Sequence, residues 1–139
     1  MDNKDLDQVI KLENTVFLDP WSYHSFEKEL ENQFSYYFVL EKEEEILGYF
    51  GFNIILDECE IYTIAVKEKN QGQGIGKVMM DYIITFCKEH KVSVVTLEVR
   101  EYNFSAMHLY LNYGFKKITR IKGYYRRPVE DGILMKLEL

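Results

Sequence analysis

A single carboxylate interrupts an apolar stretch of the chain, and this residue is well suited to move a proton. Glu98 lies between Leu97 and Val99 in the run VSVVTLEVR, residues 92–100. Burial of a carboxylate is costly unless the group is solvated, paired or protonated, and loss of solvent raises its pKa toward the range useful for a general base. The alternative is a structural ion pair with Arg100, which lies on the same face of a strand.

A tyrosine in the next predicted helix is a candidate proton donor. Tyr110 lies twelve residues after Glu98 and on the same helical side as Ala106 and Tyr113. A phenol has an ordinary pKa of about 10, so it can protonate a departing thiolate. A tyrosine on an apolar helical face is more often a core residue, and this alternative stays open.

Three glycines at alternate positions separate an apolar run from a helical pattern. The run covers residues 61–66, and it is followed by Gly72, Gly74 and Gly76. Glycine lets the backbone approach a ligand closely, and the free N–H groups of a first helical turn point at an anion. The order of strand, glycine loop and helix therefore predicts an anion site, with a flexible loop that binds nothing as the alternative.

Two familiar phosphate-binding motifs do not fit this loop. The P-loop pattern GxxxxGK[ST] needs glycine where Gln71 stands, and serine or threonine where Val78 stands. The dinucleotide pattern GxGxxG needs glycine at Lys77 or at Met79. The pattern that remains is Q-x-x-G-x-G over residues 71–76.

The first half of the chain predicts two helices and a three-stranded meander. Residues 3–17 have amphipathic helical spacing, Asp19-Pro20 ends this helix, and Ser22 can cap a second one. Trp21 lies in the connection, where it either plugs the helix junction or forms one wall of a substrate groove. Aromatic and β-branched residues separated by short charged turns predict antiparallel strands over residues 36–42, 46–55 and 59–66.

The second half predicts a helix, a central strand, a short helix and two closing strands. The helix covers residues 74–90, and its expected buried stripe is Ile75, Val78, Met79, Tyr82, Ile83 and Phe86. Asn103 can cap the short helix, residues 104–112. The closing strands are expected at residues 115–121 and 133–139, joined by a polar loop at 123–132. We expect one mixed α/β domain over residues 1–139.

Composition narrows the class of function. The chain has 139 residues, 47% of them hydrophobic, and a net charge of −6, which argues against a nucleic-acid partner. Cys59 and Cys87 lack Cys-x-x-Cys spacing and nearby histidines, so neither a metal site nor a disulfide framework is expected. The sequence contains no apolar run long enough to span a membrane and no signal-peptide pattern, so we expect a cytoplasmic protein.

The motifs together resemble the GNAT superfamily of N-acetyltransferases, which binds acetyl-CoA. The loop Q-x-x-G-x-G is similar to the pyrophosphate loop of that superfamily. The order LEVR-x-x-N-x-x-A-x-x-L-Y-x-x-x-G-F, residues 97–115, is similar to that of the RimI-like branch, the ribosomal-protein-alanine acetyltransferases. The segment DPWS at 19–22 matches that branch as well. The resemblance implies a GNAT fold: a mixed, mostly antiparallel sheet of six to seven strands with splayed central strands and about four helices.

The resemblance also implies roles for individual residues. Glu98 would be the general base and Tyr110 the general acid, with direct attack of an amine on the thioester. The residues implied to bind acetyl-CoA are Ile64, Ala65, Val66, Gln71, Gly72, Gln73, Gly74, Ile75, Gly76, Lys77, Asn103 and Tyr110. The residues implied to bind the acceptor are Trp21, Tyr124, Glu130 and Asp131, and no metal is implied.

The acceptor implied by the resemblance is a protein N-terminus, with the alanine of ribosomal protein S18 as the favoured case. An acidic enzyme suits a basic ribosomal chain. The alternatives are other N-termini, lysines or a small amine, and a GNAT-fold module that binds without turnover. Two departures bear on the site: Gly72 replaces the usual basic residue of the loop, and Arg126-Arg127 lies in the last connection.

Overall fold

Six strands form one mixed sheet in the computed structural model, which describes all residues from Met1 to Leu139. The strands are β1 (Ser35–Lys42), β2 (Glu45–Ile55), β3 (Glu58–Val66), β4 (Val94–Arg100), β5 (Lys116–Arg126) and β6 (Val129–Glu138). The helices are α1 (Leu6–Val16), α2 (Tyr23–Leu30), α3 (Ile75–Glu89) and α4 (Phe104–Asn112). The spatial order is β1-β2-β3-β4-β6-β5, and only β3 and β4 run parallel. This confirms the predicted mixed sheet with four helices.

The helices cover the two faces of the sheet unequally. On one face, α1 packs against β2 and β3, and α2 packs against β1. The core on this face is formed by Leu6, Val9, Leu12, Phe26, Tyr37, Ile46, Tyr49 and Ala65. On the other face, α3 supplies Met79, Met80, Ile83 and Cys87 to a larger core that includes Val95, Leu97 and Val99 of β4. The first face is therefore left open over β4 and β6.

The buried side of α3 differs from the predicted stripe. Val78 and Tyr82 are 53% and 47% exposed, whereas Met80 and Cys87 are buried. The apolar stripe of α3 is wide, and the helix faces the sheet through Met79, Ile83 and Cys87 rather than through Val78 and Tyr82. The ring of Tyr82 still packs on Phe38 in a tilted arrangement, with ring centroids 4.9 Å apart. None of the helices is long and apolar enough to cross a lipid bilayer.

The last hairpin corrects the expected polar loop at 123–132. Strand β5 continues to Arg126 and β6 begins at Val129, so only Arg127-Pro128 turns the chain. Because β5 is an edge strand with mostly exposed residues, its polar composition resembled that of a loop. The ladder shifts register between Ile121 and Tyr125, which marks a bulge in β5.

The two central strands pair over a short distance and then separate. Residues Glu58 to Ile61 of β3 pair with Val94 to Leu97 of β4, and no pairing follows. Beyond this point β3 still runs to Val66 and β4 to Arg100. A shift in the β2–β3 ladder leaves Tyr62 as an extra residue where the strands diverge. The expected splayed central strands are confirmed.

Candidate active site

Two cavities meet at the gap between β3 and β4. The loop cavity, of about 610 Å³, is lined by Val66, the glycine loop and the start of α3. The Glu98 cavity, of about 250 Å³, lies on the α1–α2 side and is lined by Glu98, Trp21 and Tyr62. Both cavities share a wall formed by Phe17, Ile64, Arg100, Asn103, Ala106 and Tyr110. Two ligands that approach from opposite faces of the sheet would meet at this wall.

The glycine loop forms a cradle of free backbone donors. Gly72 and Gly74 have φ angles of +80° and +83°, in the left-handed region that favours glycine. The first backbone bond of α3 runs from Val78 N–H to Gly74 C=O, so the N–H groups of residues 72–77 have no partner in the chain. They lie at the positive end of the α3 dipole. This donor set fits a pyrophosphate.

The side chains around the loop fix its place in the fold. Gln71 Nε2 donates to the carbonyl of Val66 at 3.0 Å, which ties the loop to the end of β3. A Cβ at Gly76 would lie 3.2 Å from Leu109 Cδ2, so glycine allows α3 and α4 to approach closely. Gln73 lies outside the cavity lining, and its Oε1 accepts a long hydrogen bond from Asn70 Nδ2 at 3.4 Å.

Strand β3 presents alternate backbone groups to the gap. Lys67 N–H donates to Leu47 C=O at 2.7 Å. Hydrogen-bonded and non-bonded residue pairs alternate along an antiparallel ladder, so the backbone of Ala65, two residues earlier, is bonded to β2. The backbone groups of Ile64 and Val66 consequently point toward the gap, and both residues line the loop cavity. Ala65 does not line it, because its side chain is buried against α1. The gap fits a linear ligand that carries amide groups.

Glu98 is a half-buried carboxylate without a salt-bridge partner. Arg100, the alternative partner, instead bonds to Glu130 at 3.3 Å and lies 4.3 Å from the ring centroid of Tyr125. Burial raises the pKa of Glu98, and the nearby charge of Glu60 raises it further. An unpaired carboxylate with a raised pKa, facing a cavity, has the properties of a general base.

Tyr110 lies in the wall shared by the two cavities. It is 8% exposed, and burial raises its pKa to about 12. Its hydroxyl makes no hydrogen bond within the chain, so it is free to donate to a ligand. Helix α4 is held in place by its cap, since Ala106 N–H donates to Asn103 Oδ1 at 3.2 Å. Tyr110 is thus both a core residue and a cavity-lining donor.

Glu13 is a cavity-lining residue that the sequence analysis missed. It is 4% exposed and accepts hydrogen bonds from Trp21 N–H, at 2.8 Å, and from the Tyr49 hydroxyl. Burial raises the pKa of its carboxyl group. These bonds hold Trp21 at the mouth of the Glu98 cavity, where its ring contacts Phe26 at a centroid distance of 5.2 Å. A glutamate on the apolar stripe of α1 was the available signal.

None of the remaining predicted acceptor residues lines the Glu98 cavity, although burial and the nearby charges of Glu98 and Glu60 raise the pKa of Tyr124. Tyr125 lines this cavity and Tyr124 does not, although Tyr124 lies over Gly132 at the open face. Glu130 lines the loop cavity, where it pairs with Arg100 and accepts from Tyr102 N–H at 2.8 Å. Asp131 accepts from Gly123 N–H at 2.8 Å. The two carboxylates are therefore engaged in holding the β5–β6 hairpin.

Comparison with known proteins agrees with this geometry. Residues 6–115 match the Acetyltransferase (GNAT) family. A relative from Bacillus subtilis is 35% identical over 95% of this chain and 88% of its own length. The [ribosomal protein bS18]-alanine N-acetyltransferase of Haemophilus influenzae is 33% identical over 89% of this chain and 84% of its own.

Among solved structures, the ribosomal-protein-S18-alanine N-acetyltransferase of Escherichia coli superimposes with a TM-score of 0.91. The two chains are 28% identical, and the match covers 99% of this chain and 90% of the other. The chain belongs to the GNAT family of acetyltransferases, and it is an N-acetyltransferase that depends on acetyl-CoA.

Proposed function

We propose that this chain transfers the acetyl group of acetyl-CoA to the N-terminal α-amine of a protein, with the alanine of ribosomal protein S18 as the first candidate. The supporting observation is the shared wall of the two cavities. The loop cavity contains the anion cradle, the Glu98 cavity contains the unpaired carboxylate, and Ile64, Asn103 and Tyr110 belong to both. Donor and acceptor would enter from opposite faces and meet beside Tyr110.

The residues that would hold acetyl-CoA follow from the donor groups at the gap. The free N–H groups of residues 72–77 would bind the pyrophosphate. Backbone groups of Ile64 and Val66, with the side chain of Asn103, would bind the arm that leads to the thioester. Acetyl-CoA supplies the activated acetyl group when it is bound.

The protein residues would move two protons during the reaction. Glu98 would take a proton from the incoming amine, directly or through a water molecule. Tyr110 would donate a hydrogen bond to the departing sulfur and supply its proton. Since the amine attacks directly, no cysteine is needed, and Cys59 and Cys87 are both buried away from the two cavities. Close placement of the two reactants would provide much of the acceleration.

The choice of acceptor rests on chemistry and on the relatives. An α-amine has a pKa of about 8 and a lysine amine of about 10.4, so one carboxylate deprotonates the first far more readily at neutral pH. Two relatives are named for acetylation of the alanine of protein bS18. An acceptor of the ribosome would place the reaction in the cytoplasm.

A peptide panel tests this proposal. The protein is incubated with acetyl-CoA and peptides that begin with alanine, with other residues or with a blocked N-terminus and a free lysine, and mass spectrometry locates the acetyl group. We expect acetylation of the free α-amine of the alanine peptides. Acetylation of lysine or of a small polyamine alone would overturn the proposal and leave only the family assignment.

A further inference from the structure

A polar row crosses the open face of the sheet beside the Glu98 cavity. The strand registers place Asn53 opposite Glu60, and Glu60 beside Thr96. Thr96 precedes Glu98 by two residues on β4, so its side chain points to the same face. The row is therefore one step along the strands from the proposed base, on the face from which an acceptor would enter.

A third cavity, of about 230 Å³, lies over this row and continues the open face away from Glu98. Asn53, Glu60, Thr96 and Lys136 line it. Asn53 is 8% exposed, and its side-chain amide makes no hydrogen bond within the chain. The amide is in contact with the solvent of this cavity, so its donor and acceptor groups are available to a ligand. The free amide therefore points to a ligand with hydrogen-bonding groups.

The charge of the row is negative. Glu60 makes no ion pair, and its field reaches the base, since it contributes to the raised pKa of Glu98. Glu58 lies one step further on the same face and lines the same cavity. Lys136 is the one cation in the lining, and its Nζ lies 3.7 Å from a carboxylate oxygen of Glu138. The unpaired acids favour a cationic group.

We propose that Glu60 and Asn53 form a subsite for the second or third residue of the acceptor chain, with preference for a cationic side chain there. This inference rests on the proposed function. Residues advance about 3.3 Å along a strand, and neighbouring strands lie about 4.8 Å apart, so the Cα atoms of Glu60 and Glu98 are about 8 Å apart. An extended acceptor with its amine at Glu98 covers that distance with two or three residues.

The test uses alanine peptides that differ only at positions two and three, which carry lysine, serine or glutamate. Steady-state kcat/KM is measured for each peptide with the intact protein, Glu60→Gln and Glu89→Gln. Glu89 is an exposed acid at the end of α3, on the opposite face of the sheet, and serves as the matched control. All assays are run at the same neutral pH and the same ionic strength.

We expect the unaltered protein to prefer the lysine peptide over the serine peptide by about five-fold, a typical gain for a partly exposed ion pair. Glu60→Gln should lower this ratio to less than about two-fold, and Glu89→Gln should preserve it. Asn53→Leu should raise KM for all three peptides more than KM for acetyl-CoA. For a peptide whose lysine lies at position eight instead, Glu60→Gln should leave kcat/KM relative to the serine peptide unchanged.

The outcomes separate the subsite from the proposed function. If the serine and lysine peptides are acetylated equally, or if Glu60→Gln keeps the full preference, the subsite is refuted while N-terminal acetylation stands. If no peptide is acetylated at its N-terminus, both are refuted. Folding of each variant is checked by its CoA affinity, which depends on the other face of the sheet.

Discussion

Glu98 is a charged residue that the protein leaves without a counter-ion. Arg100 is the nearest candidate in sequence, but its guanidinium is bonded to Glu130 and to the carbonyls of Arg127 and Pro128. A bound arginine would lower the pKa of Glu98, whereas burial and Glu60 raise it. The β5–β6 hairpin therefore binds the guanidinium of Arg100, so that it does not pair with Glu98 and lower the pKa of the base.

Replacement of Glu98 by glutamine should separate activity from stability. We expect Glu98→Gln to lower kcat by about 10²-fold or more, because a positioned base typically contributes about 10²–10⁴-fold. The affinity for CoA, measured by calorimetry, should stay within about two-fold. A wild-type kcat would refute the assignment of the base.

The same variant should be more stable at neutral pH. Because the folded-state pKa of Glu98 is raised, its protonated form favours folding, and this contribution is lost as pH rises through the folded-state pKa. We therefore expect Glu98→Gln to be more stable than the wild type at pH 7, by an amount that partial exposure of the carboxylate keeps small. The difference, measured by denaturant unfolding, should disappear below about pH 4.

Tyr110 should act on turnover through its hydroxyl. With a pKa of about 12, the phenol stays protonated at every physiological pH and can serve as a donor. We expect Tyr110→Phe to lower kcat by about ten-fold or more with a preserved fold, since the ring remains in the core. Tyr113→Phe, directly after the same helix, is the control, because Tyr113 lines neither cavity and its hydroxyl bonds to Asp81 and to the carbonyl of Lys77. Equal effects of the two variants would argue against a specific role for Tyr110.

At the scale of elements, the loop between β3 and α3 depends on backbone conformation rather than on side chains. A Cβ at Gly72 or Gly74 would meet no protein atom within 4 Å, so only the positive φ requires glycine in the free protein. The space beside these residues is the space that a phosphate would occupy.

Gly74→Val should reduce CoA binding for two reasons. A β-branched residue is strained at a φ of +83°, by about 1–2 kcal/mol, and its side chain would fill the cradle. We expect at least about a ten-fold weaker CoA affinity by calorimetry. Gln73→Ala, whose side chain lies outside the cavity lining, should change it by less than about two-fold. An unchanged affinity in Gly74→Val would show that the phosphate lies elsewhere.

Local signals in the sequence predicted elements well, and signals that depend on tertiary context did not. Ser22 and Asn103 cap α2 and α4 as expected, because capping is decided within a few residues. The β5–β6 hairpin was mistaken for a loop because an exposed edge strand has the composition of a loop. Glu13 was missed because its partners, Tyr49 and Trp21, come from other elements.

At the scale of the whole molecule, the negative charge and the open face act together on the acceptor. The net charge is −6, and the acids of the open face lie beside the entrance to the Glu98 cavity. A cationic acceptor should therefore be attracted before it docks. The two predicted acids of the hairpin, Glu130 and Asp131, contribute less because arginines face them.

Added salt should weaken the reaction of cationic acceptors selectively. The Debye length falls to about 10 Å at 0.1 M salt, so attraction at the open face is screened. We expect KM for a lysine-containing alanine peptide to rise by about three-fold or more between about 20 and about 300 mM NaCl, a range over which this screening increases. KM for a neutral alanine peptide should change much less. The same salt response for both peptides would contradict electrostatic attraction of the acceptor.

The short pairing of β3 with β4 has a mechanical consequence. Only four residue pairs join the two halves of the sheet, β1–β3 and β4–β6, and all four lie at one end. The halves are thus connected like the arms of a hinge, and a donor molecule lying in the gap would bridge them. Amide hydrogens of Ile64 and Val66 should exchange rapidly with solvent in the free protein and slowly with CoA bound. The donor would then take the place of a missing strand and stiffen the sheet.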